Sequence, residues 1–137
     1  MEMIKVIGKT KNPNLIKRSS AKIAKDLGIK DEVTIRFMES VGHNVYGCYG
    51  NVMGGHIVCV FKNCPDVMLA EVISHEMVHA AQTDRGDLSH DYDNNIFHWC
   101  GDKYTTDILK SIPYYDRPWE AEAKKLQKNL AKHFYMS

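Results

Sequence analysis

The sequence predicts an α+β fold: a small, mainly antiparallel sheet packed on one long apolar helix, with further helices at the N- and C-terminal ends. Three observations predict it. Apolar residues recur at helical spacing in three separate segments, short alternating or branched runs lie between the first two, and glycine pairs punctuate those runs. The 137 residues amount to a single domain, 1–137, long enough to bury a core without staples.

Residues 13–27 read as an amphipathic helix. Pro13 suits its first turn, Ile16, Ile23, Ala24 and Leu27 share a face, and Gly28 suits its stop. Residues 33–38 alternate and are rich in branched side chains, as a strand requires. Residues 45–49 and 56–61 form two more strands, and the Gly50-Asn51 and Gly54-Gly55 pairs between them predict a hairpin. Pro65 and Asp66 open a helix running to about Asp84 and stopping near Gly86, with Leu69, Val72, Ile73 and Ala80 as its apolar stripe. Residues 86–95 read as a polar loop, and 96–99 with 104–106 as a small second hairpin around Gly101-Asp102. The last helix begins near Pro118 and reaches about Phe134. Trp119, Ala123, Leu126, Leu130 and Phe134 recur on one side, and Lys124, Lys125, Lys128 and Lys132 form a solvated other side.

Composition excludes several classes of function. Eighteen Lys and Arg against seventeen Asp and Glu leave a net charge of +1, so no nucleic acid or anionic membrane is indicated as a partner. No apolar run approaches the roughly 20 residues of a membrane helix, and Met1 to Lys5 carry no signal-peptide core, so the expected location is the cytoplasm. Cys48, Cys59, Cys64 and Cys100 form no CxxC pair, which argues against a zinc ribbon and for reduced thiols.

The chemistry is concentrated in His75-Glu76-Met77-Val78-His79, a His-Glu-x-x-His run inside an apolar helix. Residues four apart lie one turn apart on the same face, so both imidazoles can reach one ion. Zinc suits neutral imidazole nitrogen, and Glu76, next to the first ligand, stands where a general base for a water belongs. Uncharged neighbours on both sides of the motif describe a helix packed all round, which would hold its ligands rigidly.

An open catalytic zinc site needs a third protein ligand. A histidine six residues beyond His79 is excluded, because that position is Arg85. The direction of the last helix favours Glu120, in its first turn and followed three residues later by the small Ala123. Glu122, His90 and His98 are the alternatives. Tyr92, His98, Tyr114 and Tyr115 are the available donors to a developing oxyanion.

The motif and the segment Arg117-Pro118-Trp119-Glu120-Ala121-Glu122-Ala123 together resemble gluzincin-type zinc metallopeptidases, among them the ImmA/IrrE-like group and small bacterial and phage peptidases with an RPxExEA run. The resemblance implies a minimal zincin-like fold and a single catalytic Zn2+ held by His75, His79 and Glu120. It also implies Glu76 as general base and a peptide or protein substrate. Many gluzincins carry an acid four residues after the ligand glutamate; here that position is Lys124, so support for the histidines must come from elsewhere. The string His-Glu-Met-Val-His-Ala is also similar to SprT-like proteases, which implies His90 or His98 as third ligand. A catalytically inactive metal-binding regulatory or structural protein is the remaining alternative. In families of this type the strand before the metal helix lies at a sheet edge and pairs with peptide, which implies that role for residues 56–61. Their nearly continuous apolar run equally suits a buried strand.

Overall fold

The computed structural model describes residues 3–40, 42 and 44–135. The chain is α+β, with two sheets and four α-helices among the described residues: β1 (Ile4–Ile7), α1 (Pro13–Leu27), β2 (Glu32–Met38), β3 (Gly47–Val52), β4 (Gly55–Phe61), α2 (Leu69–Asp84), β5 (Leu88–Asp91), β6 (Ile96–Trp99), β7 (Asp102–Tyr104), α3 (Thr106–Lys110) and α4 (Pro118–Ala131). Short 3-10 turns at Asp66–Met68 and Lys132–Phe134 account for the ends of the two long predicted helices that α2 and α4 do not cover.

The main sheet has the order β1-β2-β4-β3. It is mixed rather than mainly antiparallel. β1 and β4 both run parallel to β2, and only the β3–β4 hairpin is antiparallel. β1 pairs parallel with β2 because α1 carries the chain back between them, and β4 pairs parallel with β2 because the chain passes first to the outer β3 and the hairpin returns β4 between the two. β1 was not predicted; its Ile4 packs into the core and pairs with Val33, but four residues at a chain end give little periodicity to read.

The position of β4 also differs from expectation. It lies between β2 and β3, so residues 56–61 are interior and the edge belongs to β3. Val58 and Val60 are buried, as the apolar run allowed. The hairpin turns at Met53-Gly54, with Gly54 at φ 77°, a conformation that glycine adopts without strain.

α1 and α2 pack on the sheet and on each other, and α4 packs along α2. Asn12 caps α1 by accepting from the Leu15 N–H at 3.3 Å, and Gly28 ends it at φ 71°. Ile23, Val33, Ile35, Ile73, Met77 and Val78 form the fully buried centre. Ala80, Ala81 and Ala123 belong to the same core; their small side chains let α2 and α4 approach closely.

The predicted polar loop 86–95 contains β5. It pairs with β6, and β6 with β7, as a three-stranded antiparallel meander. The β6–β7 turn is Cys100-Gly101, both at positive φ, one position earlier than the sequence suggested. Leu88, Leu109 and Trp119 form a second small core beneath this sheet, joined by Phe97, Trp99 and Tyr104. β5 escaped the sequence reading because Leu88 is its one aliphatic residue; its stability comes from pairing and from the aromatic layer below it.

Candidate metal centre

α2 carries His75 and His79 on one face, and the first turn of α4 carries Glu120 beside them. His75 Nε2 lies 2.9 Å and His79 Nε2 3.2 Å from the same Glu120 oxygen, Oε1. Ligand atoms about 2.0–2.1 Å from a tetrahedral zinc stand about 3.3 Å apart, so this spacing fits one ion. Among the described residues one other trio of ligand-type side chains comes as close, Asp31, His56 and Asp84.

Both imidazoles are held from behind by a glutamine. The Gln82 amide donates through Nε2 to Trp119 O and to Glu122 Oε1, each at 3.0 Å, which leaves Oε1 to accept from His79 Nδ1 at 2.9 Å. Gln127 Nε2 donates to Glu71 at 3.3 Å, and its Oε1 accepts from His75 Nδ1 at 2.7 Å. Each histidine therefore keeps its proton on Nδ1 and directs Nε2 forward, the arrangement a metal site needs. These carboxamides supply what Lys124 cannot. Sequence reasoning missed both, since glutamine carries no motif signal. Gln82 lies three residues beyond His79 on the same helix face, which was the available clue.

The electrostatics follow from this geometry. Burial opposes charge on His79, but its hydrogen bonds to Glu120 and the nearby Glu76 outweigh it and raise its pKa to about 9. His75 is shifted upward by the same balance. Burial likewise opposes charge on Glu120, and the two imidazoles reverse it, bringing the carboxyl down to about 2. Glu76 moves the other way: burial raises its pKa despite both histidines. The same cluster thus pushes two neighbouring carboxyls in opposite directions, Glu120 down and Glu76 up.

Glu76 sits against the edge strand. A Cβ on Gly47 would lie 2.7 Å from Val72 Cγ1 and 3.5 Å from Glu76 Cγ, so only glycine lets β3 approach α2 this closely. Gly47→Ala is expected to cost about 1–3 kcal/mol through overpacking, measured as a lowered midpoint in chemical denaturation. An unchanged midpoint would show that β3 can move aside freely.

The remaining predicted residues fall in different places. Tyr114 borders the cleft near Glu120, half exposed, and partial desolvation together with the charges of Glu120 and Glu76 raises the pKa of its phenol well above the ordinary value. Tyr115 stacks edge-on to Tyr114 and lies under Lys124. Tyr92 is exposed beside His90. His90 stacks on Phe97 with Nε2 on Asn95 Oδ1, and His98 is exposed on β6; neither joins the ligand trio. Glu122, the alternative third ligand, is partly buried outside the ligand trio and ties Gln82 to Arg85. His56 and Asp84 were not singled out. His56 bonds Tyr49 OH at 2.7 Å and Asp84 Oδ1 at 3.0 Å, using both ring nitrogens. Asp84 also accepts from the backbone N–H groups of Lys30 and Asp31. His56 and Asp84 thus spend their ligand atoms on a brace that ties β3, β4 and the end of α2 together.

Burial raises the Asp84 pKa, but the hydrogen bonds from His56, Lys30 and Asp31 prevail and lower it. A folded value below the unfolded one, about 3.9, means that the stabilisation is complete above that value and is lost as pH falls through the folded value. Asp84→Asn is expected to cost about 1–3 kcal/mol at neutral pH and to flatten the acid limb of a stability–pH curve below about pH 4. A parallel curve would refute the brace.

Two cavities flank the centre. One of about 390 Å³ is bordered by Tyr46, Val72, Tyr115 and Gln127; one of about 600 Å³ by Tyr49, His79, Phe97 and Trp119. Gly47, Glu76 and Tyr114 border both, so they form one cleft open on either side of Glu76. Cys48 borders the larger part, but burial and the neighbouring Cys59 push its thiol up to about 12, so it is not an activated nucleophile. In comparison with protein-family models, curated proteins and solved structures, the chain matches none. No helix among the described residues is long and apolar enough to cross a membrane.

Proposed function

We propose that the protein is a zinc-dependent peptidase of minimal zincin-like type, with the ion held by His75, His79 and Glu120. The observation that carries this reading is the convergence of both Nε2 atoms on one Glu120 oxygen, beside a partly buried Glu76 in an open cleft. Three protein ligands and a cleft suit a catalytic site; a structural zinc would be closed by four. Bound zinc supplies a Lewis acid that acidifies a water and polarises a carbonyl.

The chain's own residues do the rest. Glu76 takes the proton of the attacking water and passes it to the leaving amine, and its raised pKa suits both halves of that task. Tyr114, held protonated beside Glu120, donates a hydrogen bond to the carbonyl oxygen as charge develops there. β3 receives the substrate. Phe61 N–H donates to Tyr46 O, and this register turns the backbone groups of Gly47, Tyr49 and Asn51 to the open edge. An extended peptide adds there as a further strand along the cleft.

The test is to strip purified protein with a chelator, restore one equivalent of zinc, and assay cleavage of an unfolded protein. Zinc-dependent cleavage is expected. Stoichiometric zinc without cleavage of any protein or peptide would replace the enzyme by a metal-binding regulatory protein.

A further inference from the structure

The larger part of the cleft has a wall with no assigned role. His90 on β5, Phe97 on β6 and Trp119 on α4 are stacked in sequence. His90 and Phe97 have ring centroids 3.9 Å apart at 9°, and Phe97 and Trp119 have centroids 5.0 Å apart at 13°. Leu88 completes the wall, and Tyr92 stands at its rim, 62% exposed. The wall is rigid. Trp119 is 2% exposed and meets Tyr104 edge-on from behind, and Asn95 fixes the His90 ring through its Nε2.

It is also joined to the centre. Trp119 immediately precedes Glu120, its carbonyl anchors the Gln82 that holds His79, and the same cavity reaches Glu76 and His79. Whatever fills this space therefore belongs to the molecule being processed. Of the cavity's lining residues, the carboxylates are Glu76 and Glu120, both committed at the metal end, and none is a lysine or arginine. A charged side chain entering along the wall would lose its water without gaining an uncommitted carboxylate, lysine or arginine as partner. A large apolar side chain gains in proportion to the area it buries, and an aromatic one buries about 150–250 Å².

We infer that the Leu88–Phe97–Trp119 wall is a selectivity pocket for a large aromatic side chain of a peptide substrate lying next to the bond to be cut. The inference rests on the peptidase reading for what the occupant is attached to, and on the cavity itself for its chemistry. The pocket adjoins an edge strand and a cleft open at both ends, so the recognised residue lies inside a chain rather than at its terminus.

The experiment measures binding rather than turnover. Zinc-loaded Glu76→Gln protein, and in parallel the metal-free protein, is titrated calorimetrically with end-blocked hexapeptides that differ in one central residue: Phe, Ala, Asp or Lys. The Phe peptide is expected to bind about tenfold or more tighter than the Ala peptide, the scale on which apolar pockets separate side chains of different size. The Asp and Lys peptides are expected to bind no better than Ala. Phe97→Ala should narrow the Phe-to-Ala ratio. Since Phe97 packs on Trp119, the exposed Tyr92→Ala provides a second variant whose folding is not at issue, and it too should narrow the ratio. Equal affinities across the four peptides, absence of binding by the Phe peptide, or ratios unchanged in both variants would overturn the pocket. Failure of the peptidase reading is seen separately: a Phe preference without zinc uptake or zinc-dependent hydrolysis leaves the pocket and removes the enzyme.

Discussion

Glu76→Gln is expected to keep its zinc and lose hydrolysis by about 10²–10⁴-fold in kcat, the usual worth of a positioned general base. The substitution preserves shape where shape matters. The Glu76 side chain lies against Gly47 and Val72 at the meeting point of α2 and β3, and an amide of the same size fits there. What it removes is a group that burial holds ready to carry a proton beside two imidazoles. The two readouts are zinc content of the purified variant and the rate of peptide cleavage. Loss of zinc would make Glu76 a ligand or a folding element. Full activity with zinc retained would remove it from the mechanism.

The second large effect is expected at the two glutamates of α4. Glu120→Ala deletes the atom on which both Nε2 groups converge, so zinc affinity should fall by more than the about 10–100-fold that a supporting partner is worth. Glu122→Ala should stay within that supporting range, because Glu122 reaches His79 only through Gln82. A competition titration with a chromogenic chelator ranks the two, and the reverse order would move the ligand two residues along. The same variant has a signature without metal. His79 stands at about 9 chiefly because Glu120 overcomes the effect of its burial. Without Glu120 its pKa should drop, visible in an NMR titration of the imidazole. For the unmodified protein, zinc has to displace the Nε2 protons, so affinity should rise with pH until about 9 is passed.

Much of the centre was legible because its parts are encoded over short distances. A spacing of four on an apolar helix fixed His75 and His79 to one face, and the helical period put Glu120 and the small Ala123 on one side of α4. Where Glu120 would land depended on α4 packing along α2, which Ala123 permits but does not specify. The supporting shell was illegible for the same reason. Gln127 lies 52 residues from His75, and His56 lies 28 from Asp84, so no local pattern announces either pair.

The sequence by itself determined the three long helices, the stop of α1 at Gly28, the β3–β4 hairpin and the one-turn spacing of two imidazoles, while the short α3 went unread. Each is set by backbone preferences and side-chain periods within a few residues. Only the tertiary structure decided that β1, β2 and β4 run parallel and that β3 rather than β4 forms the edge beside Glu76. It also made a strand of residues 88–91, and it set two glutamines behind the histidines. Those outcomes depend on which distant segments can share a core and satisfy each other's hydrogen bonds, a choice made by the whole chain at once.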